Sequence, residues 1–125
     1  MNRIDKFRGT GVALVTPFDV SGNVDYNSLE KVINHIIRGG VDYVVSLGTT
    51  GETPVLTKEE KDKVVRFTIK VVRKRVPVVV GIGSNNTFEV IHTLSQFDLR
   101  GVDAILSVSP YYNKPNQKGI YEHYK

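Results

Sequence analysis

The hexapeptide Leu47-Gly48-Thr49-Thr50-Gly51-Glu52 sets two hydroxyls between two glycines, directly after the apolar run Tyr43-Val44-Val45-Ser46-Leu47. The shortness and β-branched content of that run predict a buried strand. Glycine at its end lets the backbone turn sharply, so that successive N–H groups aim at one point, and the threonines add two hydroxyl donors. A small carboxylate or phosphate is the natural guest of such a concavity. A plain strand-to-helix connection uses the same residue types, Gly for turning and Thr for capping, so the hexapeptide alone leaves both readings open.

The elements that must position this turn can be read along the chain. Gly11–Thr16 is a short apolar run ended by Thr16-Pro17, and Val20–Asn23 is loop chemistry. Asp25 is placed to cap a helix whose apolar residues Leu29, Val32, Ile33, Ile36 and Ile37 recur at helical spacing, with Gly39-Gly40 as the stop. After the turn, Thr57-Lys58-Glu59-Glu60 is a capping box opening a second helix through Val64, Val65, Phe67, Ile69, Val71 and Val72. Pro77–Ile82 is a third strand, with Pro77 at a first position that tolerates it. Asn86–Glu89 resembles another N-cap, and its helix runs through Val90, Ile91, Leu94 and Phe97 to a stop near Gly101. Ala104–Val108 is a fourth strand, Ser109–Pro115 a loop, and a fourth helix begins near Gln117.

Strand and helix patterns thus alternate four times, which predicts βαβ units and a parallel sheet. Gly40-Val41-Asp42 before the second strand is matched by Gly101-Val102-Asp103 before the fourth, 61 residues later. That spacing is two β/α units, so the chain reads as a doubled two-unit module. A doubly wound open sheet gathers its ligands at one switch point, whereas a (β/α)8 barrel collects them at the carboxyl ends of many strands. Here all four ends carry chemistry: Thr16-Pro17, Gly48–Glu52, Gly81–Asn85 and Ser107–Tyr112. Gly81-Ile82-Gly83-Ser84-Asn85-Asn86 lacks the third glycine and the acidic partner of a dinucleotide fingerprint. The expected fold class is therefore α/β, a parallel (β/α) half-barrel formed by the first four units of a TIM barrel.

Eight such units take about 250 residues, and this chain has 125. Residues 1–125 are expected to be the N-terminal half of one barrel domain, with an uncovered apolar inner face and open edges at the first and fourth strands. A truncated piece of a longer chain and a half-barrel that closes on a second copy both fit.

Bulk composition narrows the class. The chain is 40% hydrophobic and 24% charged, which suits one compact soluble domain. No apolar run reaches the roughly 18 residues of a membrane span, and the first eight residues do not read as a signal peptide. There is no Cys, hence no disulfide framework, and a cytoplasmic location is the default. The net charge of +4 raises nucleic acid as a partner. However, the basic residues from Lys58 to Arg75 are interspersed with Glu59, Glu60 and Asp62, as on a solvated helix face, and no nucleic-acid-binding motif accompanies them. His35, His92 and His123 are not spaced as metal ligands.

Taken together, Gly11–Pro17, Gly48-Thr49-Thr50-Gly51-Glu52, Pro77–Gly83 and Ser109-Pro110-Tyr111-Tyr112-Asn113-Lys114-Pro115 resemble the dihydrodipicolinate synthase family, within the N-acetylneuraminate lyase superfamily of Schiff-base aldolases. The resemblance runs from about Phe7 to Lys125 and covers the N-terminal half of such enzymes. Sialic-acid lyases typically have Ser at the position of Thr49 and lack the Tyr-Tyr-Asn arrangement. The resemblance implies condensation of pyruvate with aspartate 4-semialdehyde in lysine and diaminopimelate biosynthesis, with no metal and no organic cofactor. A barrel lysine forms an imine with pyruvate, turning its methyl group into an enamine nucleophile.

By the family pattern, Thr50 and neighbouring backbone N–H groups of the Gly48–Gly51 turn hold the pyruvate carboxylate. Thr49 and Tyr112 match two members of a proton relay, and the tyrosine matching Tyr112 reaches into a neighbouring subunit, so activity requires at least a dimer; most members are tetramers. Thr49 as a turn cap and Tyr112 as an ordinary interface aromatic are the plainer alternatives.

The imine lysine of the family belongs to a later strand. Of the ten lysines here none lies inside a strand run, so the chain by itself is expected to be inactive. Feedback-inhibited relatives bind free lysine with residues corresponding to Asn85, Glu89 and Tyr111, and with histidines at the positions of Lys58 and Lys61. Packing alone accounts for Tyr111 equally well. Two cations in place of the histidines oppose an ammonium ligand, which predicts weak or absent inhibition. Another pyruvate-dependent aldolase of the superfamily, or a non-catalytic half-barrel scaffold that pairs with another copy, are the competing functions.

Overall fold

The computed structural model describes residues 4–125. Four strands, β1 (Gly11–Ala13), β2 (Tyr43–Ser46), β3 (Val78–Gly81) and β4 (Ala104–Leu106), alternate with four helices, α1 (Tyr26–Arg38), α2 (Lys58–Val72), α3 (Thr87–Gln96) and α4 (Gln117–Tyr124). All strand pairs are parallel, and the sheet order is β1-β2-β3-β4. An order that never reverses has no switch point, which excludes the doubly wound alternative. The sheet advances one strand per β/α unit, as one side of a barrel does.

Alternation along the strands assigns the two faces. Val44, Val78 and Val80 join Leu29 and Ile33 of α1 and Val64, Val65 and Val72 of α2 in the hydrophobic core. Val45 pairs with Val79 on the opposite face. That opposite face continues through Leu106 at the end of β4 and, beyond the strand ends, Val15 and Val108, which are 53%, 46% and 49% exposed. One face of the sheet is thus packed by helices, while the other, the interior of a barrel, shows apolar side chains to solvent.

The caps form where the residue types demand them. The Asp25 carboxylate accepts the Ser28 N–H at 3.0 Å, and α1 ends at Gly39-Gly40, Gly40 having φ +87°. The Thr57 side chain accepts the Glu60 N–H at 3.2 Å while the Glu60 carboxylate accepts the Thr57 N–H at 2.8 Å, a reciprocal capping box. Arg73 and Lys74 end α2 in the left-handed region. Arg75 then donates to the Val71 and Val72 carbonyls, satisfying two acceptors that a helix end leaves open. Asn86 and Asn116 cap α3 and α4. The strands are shorter than the apolar runs suggest: Leu14 and Ile82 still donate to the Val45 and Leu106 carbonyls, and the chain beyond them, and after Ser46 and Leu106, builds the rim. Pro77 precedes β3 rather than opening it. Among the described residues, no helix is long and apolar enough to cross a membrane.

Candidate functional site

The carboxyl ends of the four parallel strands share one edge of the sheet, and their loops are bonded to one another. After β2 the chain makes a short 3-10 turn over Thr49–Gly51. The reversal comes from Leu47 at φ +56° and Glu52 at φ +53°, not from the glycines; Gly48 lies at φ −76°. A non-glycine residue in the left-handed region costs on the order of 1–3 kcal/mol and persists where the surroundings over-determine it. Those surroundings are visible here. The Thr53 hydroxyl lies 2.8 Å from the Leu47 carbonyl and 2.9 Å from the Gly48 carbonyl, one proton shared between two acceptors. The buried Thr16 hydroxyl, from the loop after β1, donates to the Gly51 carbonyl at 2.7 Å. On β3, a Cβ at Gly81 would land on the Leu47 carbonyl, so glycine is what lets that carbonyl sit against the strand.

Inside the turn, the Gly48 carbonyl also accepts the Gly51 N–H at 3.0 Å and the Thr49 carbonyl accepts the Glu52 N–H at 3.0 Å. Among the described residues nothing accepts the N–H groups of Thr49 and Thr50. Both threonine side chains are exposed, and among the described residues their hydroxyls have no partner. The turn therefore presents two N–H donors and two hydroxyls with their hydrogen-bonding capacity unspent.

The tips of β3 and β4 form the second half of the rim. Ile82 donates to the Leu106 carbonyl at 3.0 Å, and a side chain at Gly83 would crowd the Val108 N–H. Asn85 Nδ2 donates to the Tyr111 carbonyl at 3.2 Å. The Tyr124 hydroxyl of α4 donates to the Ser107 carbonyl at 3.2 Å and lies 3.3 Å from the Ser109 hydroxyl. Between these ties Tyr112 takes φ +68° and projects 89% exposed. Among the described residues no hydrogen bond joins its hydroxyl to Thr49 or Thr50.

Asn85 and Tyr111 are thus brought together, and Glu89 is tied to the residue before Asn85, accepting from the Ser84 hydroxyl at 2.9 Å. Lys58 and Lys61 lie in the first turns of α2 with no hydrogen bond to that group. Thr53, Thr16 and Gly81 are the residues that the sequence reading did not single out individually. The signal available for the two threonines is a hydroxyl directly before a proline in a loop, Thr16-Pro17 and Thr53-Pro54. Among the described residues, no group of three His, Asp or Glu side chains is placed to hold a metal ion.

The four tips match a known sequence pattern along their whole length: the family model described as the dihydrodipicolinate synthetase family matches residues 6–125. The chain belongs to this family. It is 53% identical over 118 residues to the 4-hydroxy-tetrahydrodipicolinate synthase of Azobacteroides pseudotrichonymphae genomovar. CFP2, covering 94% of this chain and 40% of that protein. Among solved structures, the dihydrodipicolinate synthase of Thermotoga maritima superposes with a TM-score of 0.91 at 42% identity, over 96% of this chain and 40% of that one. The chloride-inhibited dihydrodipicolinate synthase of Acinetobacter baumannii, solved in complex with pyruvate, superposes with a TM-score of 0.87 at 45% identity, over 93% of this chain and 40% of that one. This member of the dihydrodipicolinate synthetase family thus spans about 40% of the length of the relatives it matches, and its four-stranded sheet is a (β/α) half-barrel.

Proposed function

We infer that this chain supplies the N-terminal half of a 4-hydroxy-tetrahydrodipicolinate synthase, a cytoplasmic lyase of lysine and diaminopimelate biosynthesis that joins pyruvate to aspartate 4-semialdehyde. The observation that carries the reading is the turn at Thr49-Thr50, whose N–H groups have no acceptor and whose exposed hydroxyls have no bonding partner among the described residues. An anion is what such a set of donors takes, and a keto acid brings a carboxylate beside its reacting carbonyl. In this reading Thr50 and the adjoining N–H groups, between Gly48 and Gly51, hold the pyruvate carboxylate.

The chemistry needs an amine that these residues do not supply. All ten lysines lie outside the four strands and none is buried, so none is held inside the barrel. The imine-forming lysine comes from the barrel strands beyond this half. Its attack on the pyruvate ketone expels water; loss of a methyl proton gives the enamine, which adds to the aldehyde carbon while the new alkoxide takes a proton. Thr49 and Tyr112 carry that proton, with Tyr112 donated to a neighbouring copy's site. Its positive φ, its exposure and the absence of a hydrogen-bond partner for its hydroxyl among the described residues support that assignment. The assembly is at least a dimer, and no metal or organic cofactor takes part.

The test is borohydride trapping with pyruvate together with turnover on aspartate 4-semialdehyde. The full-length protein is expected to trap pyruvate on one lysine and to prefer this aldehyde over others, while residues 1–125 alone trap none. Stoichiometric trapping on any of the ten lysines here overturns the assignment. Asn85, Glu89 and Tyr111 correspond to the lysine-binding group of feedback-inhibited relatives, but Lys58 and Lys61 repel an ammonium ligand. Weak or absent inhibition by free lysine follows, and inhibition of the full-length enzyme by sub-millimolar lysine would contradict it.

A further inference from the structure

We propose that Thr53 is a positioning residue for the ligand-binding turn, acting through the backbone rather than by touching substrate. The inference rests on the reading that the Thr49-Thr50 turn receives the pyruvate carboxylate, and it concerns what aims that turn. In a trans peptide the C=O of one residue and the N–H of the next point in opposite directions. Fixing a carbonyl therefore fixes the direction of the following N–H. The Thr53 hydroxyl bridges the Leu47 and Gly48 carbonyls at 2.8 and 2.9 Å, which orients the Gly48 and Thr49 N–H groups away from Thr53. The Glu52 N–H holds the Thr49 carbonyl at 3.0 Å and so sets the Thr50 N–H. Thr16 anchors the far end of the turn through the Gly51 carbonyl at 2.7 Å.

Every carbonyl whose peptide plane carries the Thr49 or Thr50 N–H is therefore occupied from behind, and among the described residues nothing pairs with either N–H group in front. The strain at Leu47 fits this arrangement. With φ +56° on a residue that has a side chain, the turn is held in place by its partners rather than by its own preference. Thr53 is the side chain that touches both peptides on the entry side of the turn. Its methyl-bearing carbon contributes volume, but the geometry assigns the function to the hydroxyl.

The experiment measures kcat and KM for both substrates, with melting temperature, in the full-length chain carrying Thr53→Val, Thr53→Ser or Thr50→Val. Loss of carboxylate donors weakens ground-state and transition-state binding alike, so Thr53→Val is expected to raise the pyruvate KM about tenfold while kcat and the semialdehyde KM stay within about threefold. Thr53→Ser, which keeps the hydroxyl, is expected to restore the pyruvate KM to within about twofold of the parent. Thr53→Val with an unchanged pyruvate KM overturns the proposal, as does Thr53→Ser behaving like Thr53→Val. A fall in melting temperature with both KM values rising together assigns Thr53 a purely structural role and also overturns it. Thr53→Ala carries the same comparison if Thr53→Val does not fold. Thr50→Val separates the two layers: if it leaves the pyruvate KM unchanged the carboxylate reading itself fails, whereas an effect of Thr50→Val without one of Thr53→Val sinks only the positioning role.

Discussion

The Asp103 carboxylate accepts the Val78 N–H at 2.9 Å, tying the entry of β4 to the first residue of β3. Asp42 does the same one module earlier, accepting the Thr10 N–H at 2.7 Å just before β1. In each case the aspartate's own N–H returns the bond, to the Val78 and Thr10 carbonyls respectively. The Gly-Val-Asp repeat is therefore a clamp used twice, at the rim opposite the candidate site. It makes the doubled two-unit module a physical repeat as well as a sequence pattern.

The two clamps differ in what is lost when they are cut. Val78 is 2% exposed, so Asp103→Ala orphans a buried N–H and also removes the Lys6 ion pair at 2.6 Å. A cost of about 2 kcal/mol is expected. Thr10 is exposed and water replaces the lost acceptor, so Asp42→Ala is expected to cost about 0.5–1 kcal/mol. Among the described residues the two sites share no hydrogen-bond or ion-pair partner, and denaturant unfolding of the double variant should give the sum of the two within about 0.5 kcal/mol. Equal costs, or strong coupling, would contradict this account of the clamps.

Asp25 gives α1 a pH-dependent start. Hydrogen bonds from the Ser28 hydroxyl and N–H hold its carboxyl below the usual carboxylate range. The folded pKa is depressed, so the contribution to stability is present above the unfolded value, about 3.9, and is lost as pH falls through the folded value. Asp25→Asn keeps a good cap but has nothing to titrate. Urea unfolding between pH 6 and about pH 2.5 should therefore show a shallower acid loss in Asp25→Asn than in the parent; identical slopes would refute the assignment.

The relay role proposed for Tyr112 predicts that activity and stability separate at this residue. Its side chain is almost fully exposed within this chain, so Tyr112→Phe should leave the unfolding free energy of the monomeric unit within about 0.5 kcal/mol. On the proposed relay role, the same substitution should reduce kcat of the full-length enzyme by about a hundredfold or more. Mixing Tyr112→Phe subunits with subunits inactivated at the proposed imine lysine then discriminates between a relay completed across subunits and one completed within a subunit. Recovered activity in the mixture is the outcome that a donated Tyr112 requires.

The elements were legible because each is written in local terms. Asp25, Thr57-Glu60 and Asn86 carry their caps in sequence, and the apolar periods of α1 and α2 state which face is buried. The faces of β2 and β3 were not legible, because Val44-Val45 and Val78-Val79-Val80 are apolar on both sides and show no alternation. The repeat at Gly40-Val41-Asp42 was visible, but its purpose was not, since a carboxylate reaching across to another strand's N–H leaves no mark at its own position. The turn at Thr49-Thr50 was found for a partly mistaken reason. Gly48 and Gly51 suggested that glycine makes the reversal, whereas Leu47 and Glu52 make it, in a conformation held by the Thr53 and Thr16 hydroxyls together with the turn's own Gly51 and Glu52 N–H groups.

That correction moves the critical glycine to another strand. A Cβ at Gly48 would meet only Val45 Cγ1 at 3.8 Å, and its φ of −76° suits any residue. Gly48→Ala is therefore expected to change stability by no more than about 0.5–1 kcal/mol, in the stabilising direction through the unfolded chain. A Cβ at Gly81 would occupy the position of the Leu47 carbonyl, in a region held by β2–β3 ladder bonds and the Thr53 hydroxyl. Neither neighbour is the end of a flexible side chain, so the backbone must shift, at a cost of about 1–3 kcal/mol. The same shift turns the Leu47 and Gly48 peptides, so Gly81→Ala should weaken pyruvate binding even where the protein remains folded. Thermal unfolding of the two alanine variants ranks them directly, and a Gly81→Ala protein as stable as Gly48→Ala would show that the β2 turn does not depend on the close approach of β3.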